Sequence, residues 1–203
     1  MMPQDAKEIV MKLVERGEIL GLAEYEAVRE RFRARVIAEK KLRRVQLGPR
    51  ATAVFENHDT MLMQVQEMLR TERITRPAAV QHEIDTYNEI VPGPDELSCT
   101  VMIEIVDKAE RDAFLQAALG FEKHVWLVAG SERVPARAID RGAPQDRTTA
   151  VHYLKFALPP SVAAALRSAA PTELVLEVDH PAYTARAVFP KATLASLAED
   201  LQS

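Results

Sequence analysis

Residues 100–139 and 150–189 of this chain read as one pattern written twice: strand, helix, strand, tight turn, strand, at an offset of 50 residues. Val101 falls over Val151, Ala113 over Ala163, Val125 over Val175 and Val128 over Val178. Identity between the copies is low, so the similarity is one of pattern. It still constrains the fold more than any other feature, because strands and short helices in this order call for a sheet carrying helices. Val101, Ile103 and Ile105 alternate with polar or exposed positions, as in a half-buried strand. Residues 112–119 and 162–169 predict the two short helices. Under this alignment His152 stands where the first copy has Met102, and His180 where it has Gly130. The second copy has gained two ionisable groups that the scaffold does not need.

The chain ahead of the repeat is mostly helical. Residues 4–16 predict a short helix with Ile9, Val10, Leu13 and Val14 on one side. Residues 22–45 predict a long one, with Tyr25, Val28, Phe32 and Val36 as its apolar line. Arg29, Arg33, Lys40 and Arg44 form a second, basic line. Glu24, Glu26, Glu30 and Glu39 are interspersed and no aromatics interleave the arginines, which favours a solvated or dimer-facing helix over a phosphate-binding one. Gly48-Pro49 ends that segment, and residues 51–55 are strand-like. Over residues 60–73, a turn of about 100° per residue puts Met61, Val65, Met68 and Leu69 on one face. Thr60, Gln64, Glu67 and Thr71 line the opposite side, with Arg70 flanking them. Asn57, Asp59 or Thr60 can cap the first turn, without the glutamate of a full capping box. The polar face is either the solvated back of a core helix or one wall of a polar pocket. Pro77 opens another helix running to about Glu89, the turn-rich VPGPDE of residues 91–96 marks an internal boundary, and residues 193–201 supply a terminal helix. The chain therefore divides into an N-terminal extension (1–21), a mainly helical segment (22–96) and a sheet segment (97–203), with 22–203 expected to form one compact domain. The fold class is α+β: N-terminal helices packed on a largely antiparallel sheet, a duplicated βαββ unit if the two copies superpose.

Composition excludes several function classes. Lys and Arg total 26 against 30 Asp and Glu, a net charge of −4 that argues against a dedicated nucleic-acid binder. The single cysteine, Cys99, rules out an internal disulfide and any cysteine-rich zinc or iron–sulfur site within one chain. No apolar run approaches the ~20 residues of a membrane span. Asp5, Lys7, Glu8 and Lys12 interrupt anything like a signal peptide, so a cytoplasmic location is expected. The seven glycines form no GxGxxG, P-loop or GxSxG motif, and no two of the five histidines lie within a helical turn of each other.

Chemically capable groups nonetheless recur. Asp179-His180-Pro181 reads first as a hairpin turn, with Pro181 fixing φ. The functional alternative has His152 and His180, with Tyr153, Asp179 and Tyr183, lining one end of the sheet and facing the Gln64/Glu67/Arg70 side of the helix. There Arg70 would hold an anionic group, and Glu67 with one histidine would form an acid–base pair. In the metal version, His152, Asp179 and His180 would ligate a divalent cation.

Several segments together resemble one bacterial family: AEYEAVRERFRARVIAEKKLRRVQLGP, FENHDTMLMQVQEMLRTERI, YNEIVPGPDELSCTVMIEI, TTAVHYLKF and LEVDHPAY. In this order and spacing they resemble the proteins grouped as domain of unknown function 3501, from about Glu18 to the C-terminus. That family carries no assigned activity, so the resemblance transfers no catalytic residue and implies no cofactor. Its members are often encoded near rubrerythrin and cysteine-rich iron–sulfur oxidoreductases. The resemblance thus implies a non-catalytic accessory or interaction protein beside such a redox system. The basic line of Arg29, Arg33, Lys40 and Arg44 would offer a docking surface for an acidic redox protein, and homodimerisation is compatible with the apolar helices. A small-molecule enzyme or metal-binding protein, using the pocket above, is the alternative. Neither nucleic acid nor membrane is an expected partner.

Overall fold

The computed structural model describes residues 12–142, 144–168 and 173–201. Of the short helix expected over residues 4–16, residues 4–11 lie outside this set; residues 12–15 are not helical, and a single 3-10 turn covers Arg16–Glu18. The long helix α1 spans Leu22–Leu42, and Gly21 N donates to its own first-turn Glu24 (3.0 Å). A hairpin follows, β1 (Arg44–Leu47) and β2 (Ala51–Glu56), then α2 (His58–Thr71) and α3 (Pro77–Asn88). The remainder runs β3 (Glu96–Ile103), α4 (Lys108–Ala117), β4 (Val125–Ala129), β5 (Glu132–Pro135), β6 (Arg137–Ala138), β7 (Val151–Ala157), α5 (Pro160–Arg167), β8 (Leu174–His180), β9 (Tyr183–Val188) and α6 (Lys191–Asp200).

The fold is α+β, but the strands form two antiparallel sheets where the sequence suggests one. The first has the order β1-β2-β3-β7-β6 and the second β5-β4-β8-β9. Their facing residues supply one core: Val45, Leu47, Phe55, Cys99, Val101, Leu154 and Phe156 from the five-stranded sheet, Val125, Leu127, Leu176 and Val178 from the four-stranded one. Ala136 carries the chain from one sheet to the other between β5 and β6. The opposite face of the five-stranded sheet is covered by α2 and α3, whose Met61, Val65, Leu69, Val80 and Ile84 form a second cluster with Tyr153 packed against it. With helices on one side and a sheet on the other, β2 is buried along its whole length. Residues 51–56 are thus interior strand on both faces, which a short apolar run alone does not announce.

The repeat is visible in the order of elements, and its offset needs correction. Residues buried between the sheets are Val101 and Ile103 in β3, His152 and Leu154 in β7, Val125 and Leu127 in β4, Leu176 and Val178 in β8. These positions correspond at an offset of 51. At 50, buried Val101 falls on exposed Val151, because a one-residue slip in a strand turns every side chain to the other face. The hairpins agree: Ala129 pairs with Glu132 and His180 with Tyr183, again 51 apart. At this offset Val101↔His152 and Trp126↔Glu177 pair equivalent positions, one pair in each sheet, as a pseudo-two-fold axis through both sheets requires. His152 therefore replaces Val101, and His180 replaces Ala129.

Candidate functional site

The outer face of the five-stranded sheet carries an unusual set of polar side chains for a surface covered by helices. Register places Arg44, Val54, Thr100 and Tyr153 in one row across four strands, and Glu56, Ser98 and Lys155 in the next. Above them, α2 presents Met61 and Gln64, the end of α3 presents Tyr87, and the turn after it presents Ile90. With Lys40 and Met102, and without Ser98 and Lys155, they line a cavity of about 230 Å³. This is smaller than the ~300–1,000 Å³ of drug-sized clefts and suits a small metabolite.

Local structure explains how each group is aimed. Asn57 Oδ1 accepts from Thr60 N (3.1 Å) while Thr60 Oγ1 accepts from Asn57 N (2.9 Å), a reciprocal cap in which threonine takes the usual glutamate's place. This cap starts α2 immediately after Glu56, so the β2–α2 corner fixes the carboxylate beneath the helix. Glu56 is only 3% exposed, and its Oε1 accepts from Thr100 Oγ1 (2.8 Å). Its Oε2 makes no hydrogen bond, and the Ser98 hydroxyl in the same row is likewise buried without one. Lys40 Nζ lies 3.3 Å from Glu56 Oε2, a charge contact outside hydrogen-bonding geometry. Arg44 stands at the solvent side, 48% exposed and 3.7 Å from an equally open Glu104, a pairing that holds it weakly. Among the described residues, the Tyr87 and Tyr153 hydroxyls and the Gln64 amide also make no hydrogen bond to protein. The Tyr153 phenol is pushed above its ordinary value by burial first and then by Tyr87, with Arg141 opposing. It stands as a neutral donor.

Lys155, in the same row, is otherwise engaged. Its Nζ donates to Val91 O (2.8 Å) and pairs with Glu96 Oε2 (2.9 Å).

Of the pocket residues drawn from the sequence, only Gln64 and Tyr153 meet in this cavity, joined by Lys40 and Arg44 of the basic line. Glu67 and Arg70 face α1 instead of the sheet. Glu67 accepts from Tyr25 Oη (2.7 Å), Arg29 Nε (2.8 Å) and Arg33 Nη1 (2.6 Å), and Arg70 pairs with Glu26 (2.6 Å). Hydrogen bonding by Arg29 leads the effects that bring the Glu67 carboxyl down to about 2. The α1–α2 seam is consequently polar, which is why Val28 of the expected apolar line is exposed while Tyr25 and Val36 are buried.

His152 and His180 are committed to the fold. His152 lies on the inter-sheet side of β7, against the Phe121 ring (5.1 Å) and 3.3 Å from Thr148 Oγ1, and burial lowers its pKa. It borders a separate cavity of about 370 Å³ with Glu122, Asp140 and Arg141. Arg141 there is tied to Thr86 O (2.6 Å) and Glu89 (3.2 Å). His180 Nδ1 accepts from Ala182 N (3.1 Å), which leaves Nε2 as donor to Leu119 O (3.1 Å); neither nitrogen is available to a metal. Asp179 is on the outer face of the second sheet with His124, Trp126 and Arg133. Tyr183 is in the core, donating to Leu47 O (2.5 Å) and passing so close to Gly48 (φ 69°) that a Cβ there would meet its hydroxyl at 2.5 Å. The pocket and metal triad drawn from sequence are thus dispersed, because successive strand residues face opposite sides of a sheet. Glu177-Val178-Asp179-His180 has the spacing of a helical Glu-x-x-His, yet in β8 its ends point apart for the same reason. Among the described residues no group of three or more His, Cys, Asp or Glu could hold a metal ion.

The model for proteins of unknown function DUF3501 matches residues 13–201, nearly the whole chain. The chain belongs to the DUF3501 family. A crystal structure of a novel protein of unknown function from Burkholderia pseudomallei K96243 is similar to this DUF3501 chain, with 35% sequence identity and a TM-score of 0.86. The likeness covers 94% of this chain and 100% of that one. No curated protein matches. No described helix of this DUF3501 protein is long and apolar enough to cross a membrane.

Proposed function

We propose that this protein binds a small molecule in the cavity between α2, α3 and the outer face of the five-stranded sheet. The observation that carries this reading is the carboxylate of Glu56, whose buried Oε2 makes no hydrogen bond at a cavity that the half-buried Gln64, Tyr87 and Tyr153 also line. Buried polar groups in native proteins overwhelmingly have partners, and leaving one unmade costs about 1–3 kcal/mol. A carboxylate oxygen left so beside a cavity is an acceptor held for a ligand.

An accessory role beside a rubrerythrin or iron–sulfur system would suit a ligand-responsive protein. It draws little from the basic line, however, because Arg29 and Arg33 are held by Glu67 while Lys40 and Arg44 line the cavity. A fragment screen followed by backbone amide NMR tests the binding reading. Hits should shift the amides of Gln64, Thr100 and Tyr153, and Glu56→Gln should weaken them. Hits that leave these amides unmoved, or no hits at all, would remove it.

A further inference from the structure

We infer that the cavity is built for an α-amino acid, an assignment that rests on the small-molecule reading above. The site presents opposite charges side by side: Glu56 Oε2 and Lys40 Nζ are 3.3 Å apart, with Arg44 next along the wall. An α-amino acid carries its own opposite charges one carbon apart. Its ammonium would displace Lys40 Nζ at Glu56 Oε2, the buried acceptor that lacks a hydrogen bond. Its carboxylate would lie against Lys40 and Arg44, and arginine's planar fork is suited to that group.

Each protein charge is arranged to accept the exchange. Lys40 touches Glu56 without hydrogen-bond geometry, and Arg44 is held only by the long contact to Glu104. A ligand that supplies both a donor and an acceptor converts one imperfect pair into two good ones. A ligand with one charge leaves a partly buried protein charge uncompensated, which is costly. Beyond the charged corner the walls are Val54, Met61, Ile90 and Met102 with the two tyrosine rings. That lining takes an apolar side chain, and methionine's unbranched stem adapts to its shape. Tyr87 and Tyr153 leave hydroxyls for a polar atom at the ligand's edge.

The experiment is calorimetric titration of the full chain with each of the twenty L-amino acids. The best one is then compared with its deaminated acid and its decarboxylated amine. One aliphatic or thioether amino acid is expected to bind, with each half-ligand about tenfold weaker or more. Glu56→Gln should abolish the advantage over the deaminated acid, and Lys40→Met the advantage over the amine. Circular dichroism confirms that both variants fold, and the isosteric Glu56→Gln guards against a packing effect. Equal binding of either half-ligand would overturn the assignment. So would failure of all twenty amino acids to bind. If fragments of other chemistry still shift the Gln64, Thr100 and Tyr153 amides, the cavity is a binding site for another class. If nothing shifts them, both readings fall together.

Discussion

His58, the first residue of α2, shows how a single ring ties the start of the described chain to the body. Its Nδ1 lies 3.0 Å from Asp59 Oδ1 and its Nε2 3.0 Å from Glu18 Oε2. Lys12 also reaches Glu18 (2.6 Å), and Arg35 reaches Asp59. Asp59 raises the His58 pKa above 6.5 against the opposing effect of burial, with Glu18 adding to the rise. Glu18, despite burial, is drawn from 4.5 to about 2 by Lys12, the Glu15 backbone and His58. The raised histidine contributes stability in full below pH 6.5 and loses it as pH climbs through the folded value. The depressed carboxyl contributes above pH 4.5 and loses its share as pH falls toward 2. Thermal unfolding should therefore peak between these limits. His58→Gln should flatten the decline on the alkaline side by about 1 kcal/mol or less, the scale of partly exposed ion pairs, and leave most of the acid side intact. An unchanged alkaline slope in the variant would show that the ring carries no charge-dependent stability.

Among the elements, α1, β2 and α6 meet at a guanidinium that is 1% exposed. Arg43 Nε donates to Phe55 O (2.8 Å), Nη1 to Ser196 Oγ (3.0 Å) and Nη2 to Glu56 O (3.3 Å), and it pairs with Asp200. Removing one partner strands the other, so Arg43→Met should cost about 3–5 kcal/mol in urea unfolding. Adding Asp200→Leu should recover part of that loss; strictly additive costs would mean that the two do not act as a pair. This junction was not legible in the sequence, where Arg43 is one more cation in a basic run. Helix α2 was legible, because Met61, Val65 and Leu69 keep helical spacing and Asn57 precedes them. The cavity was half legible: Gln64 stands on the polar face of that helix, whereas Glu56 ends a short apolar run whose second face becomes interior only when α2 folds over it. The repeat was legible as an order of elements but not in register. Matching valine to valine chooses an even offset, and the pleat demands an odd one.

Over the whole molecule, Cys99 reports on how firmly the two sheets are closed. It is fully buried between them, and burial, followed by the nearby Glu56, pushes its thiol up. An aromatic disulfide reagent should leave it unmodified in the native protein and label it at the rate of unfolding in urea. Rapid stoichiometric labelling with the native circular dichroism spectrum retained would contradict this packing. The same closure depends on how the repeats pair: β3 with β7 and β4 with β8, each across the two copies. The copies are interlocked halves, each supplying strand partners to the other. During synthesis the first copy must wait, with one edge of β3 and one edge of β4 bare, until the last quarter of the chain has left the ribosome. Bare edges beside an apolar face recruit other chains. The pseudo-symmetric design thus makes the nascent protein most vulnerable to self-association late in its synthesis, when nearly all of it has been made.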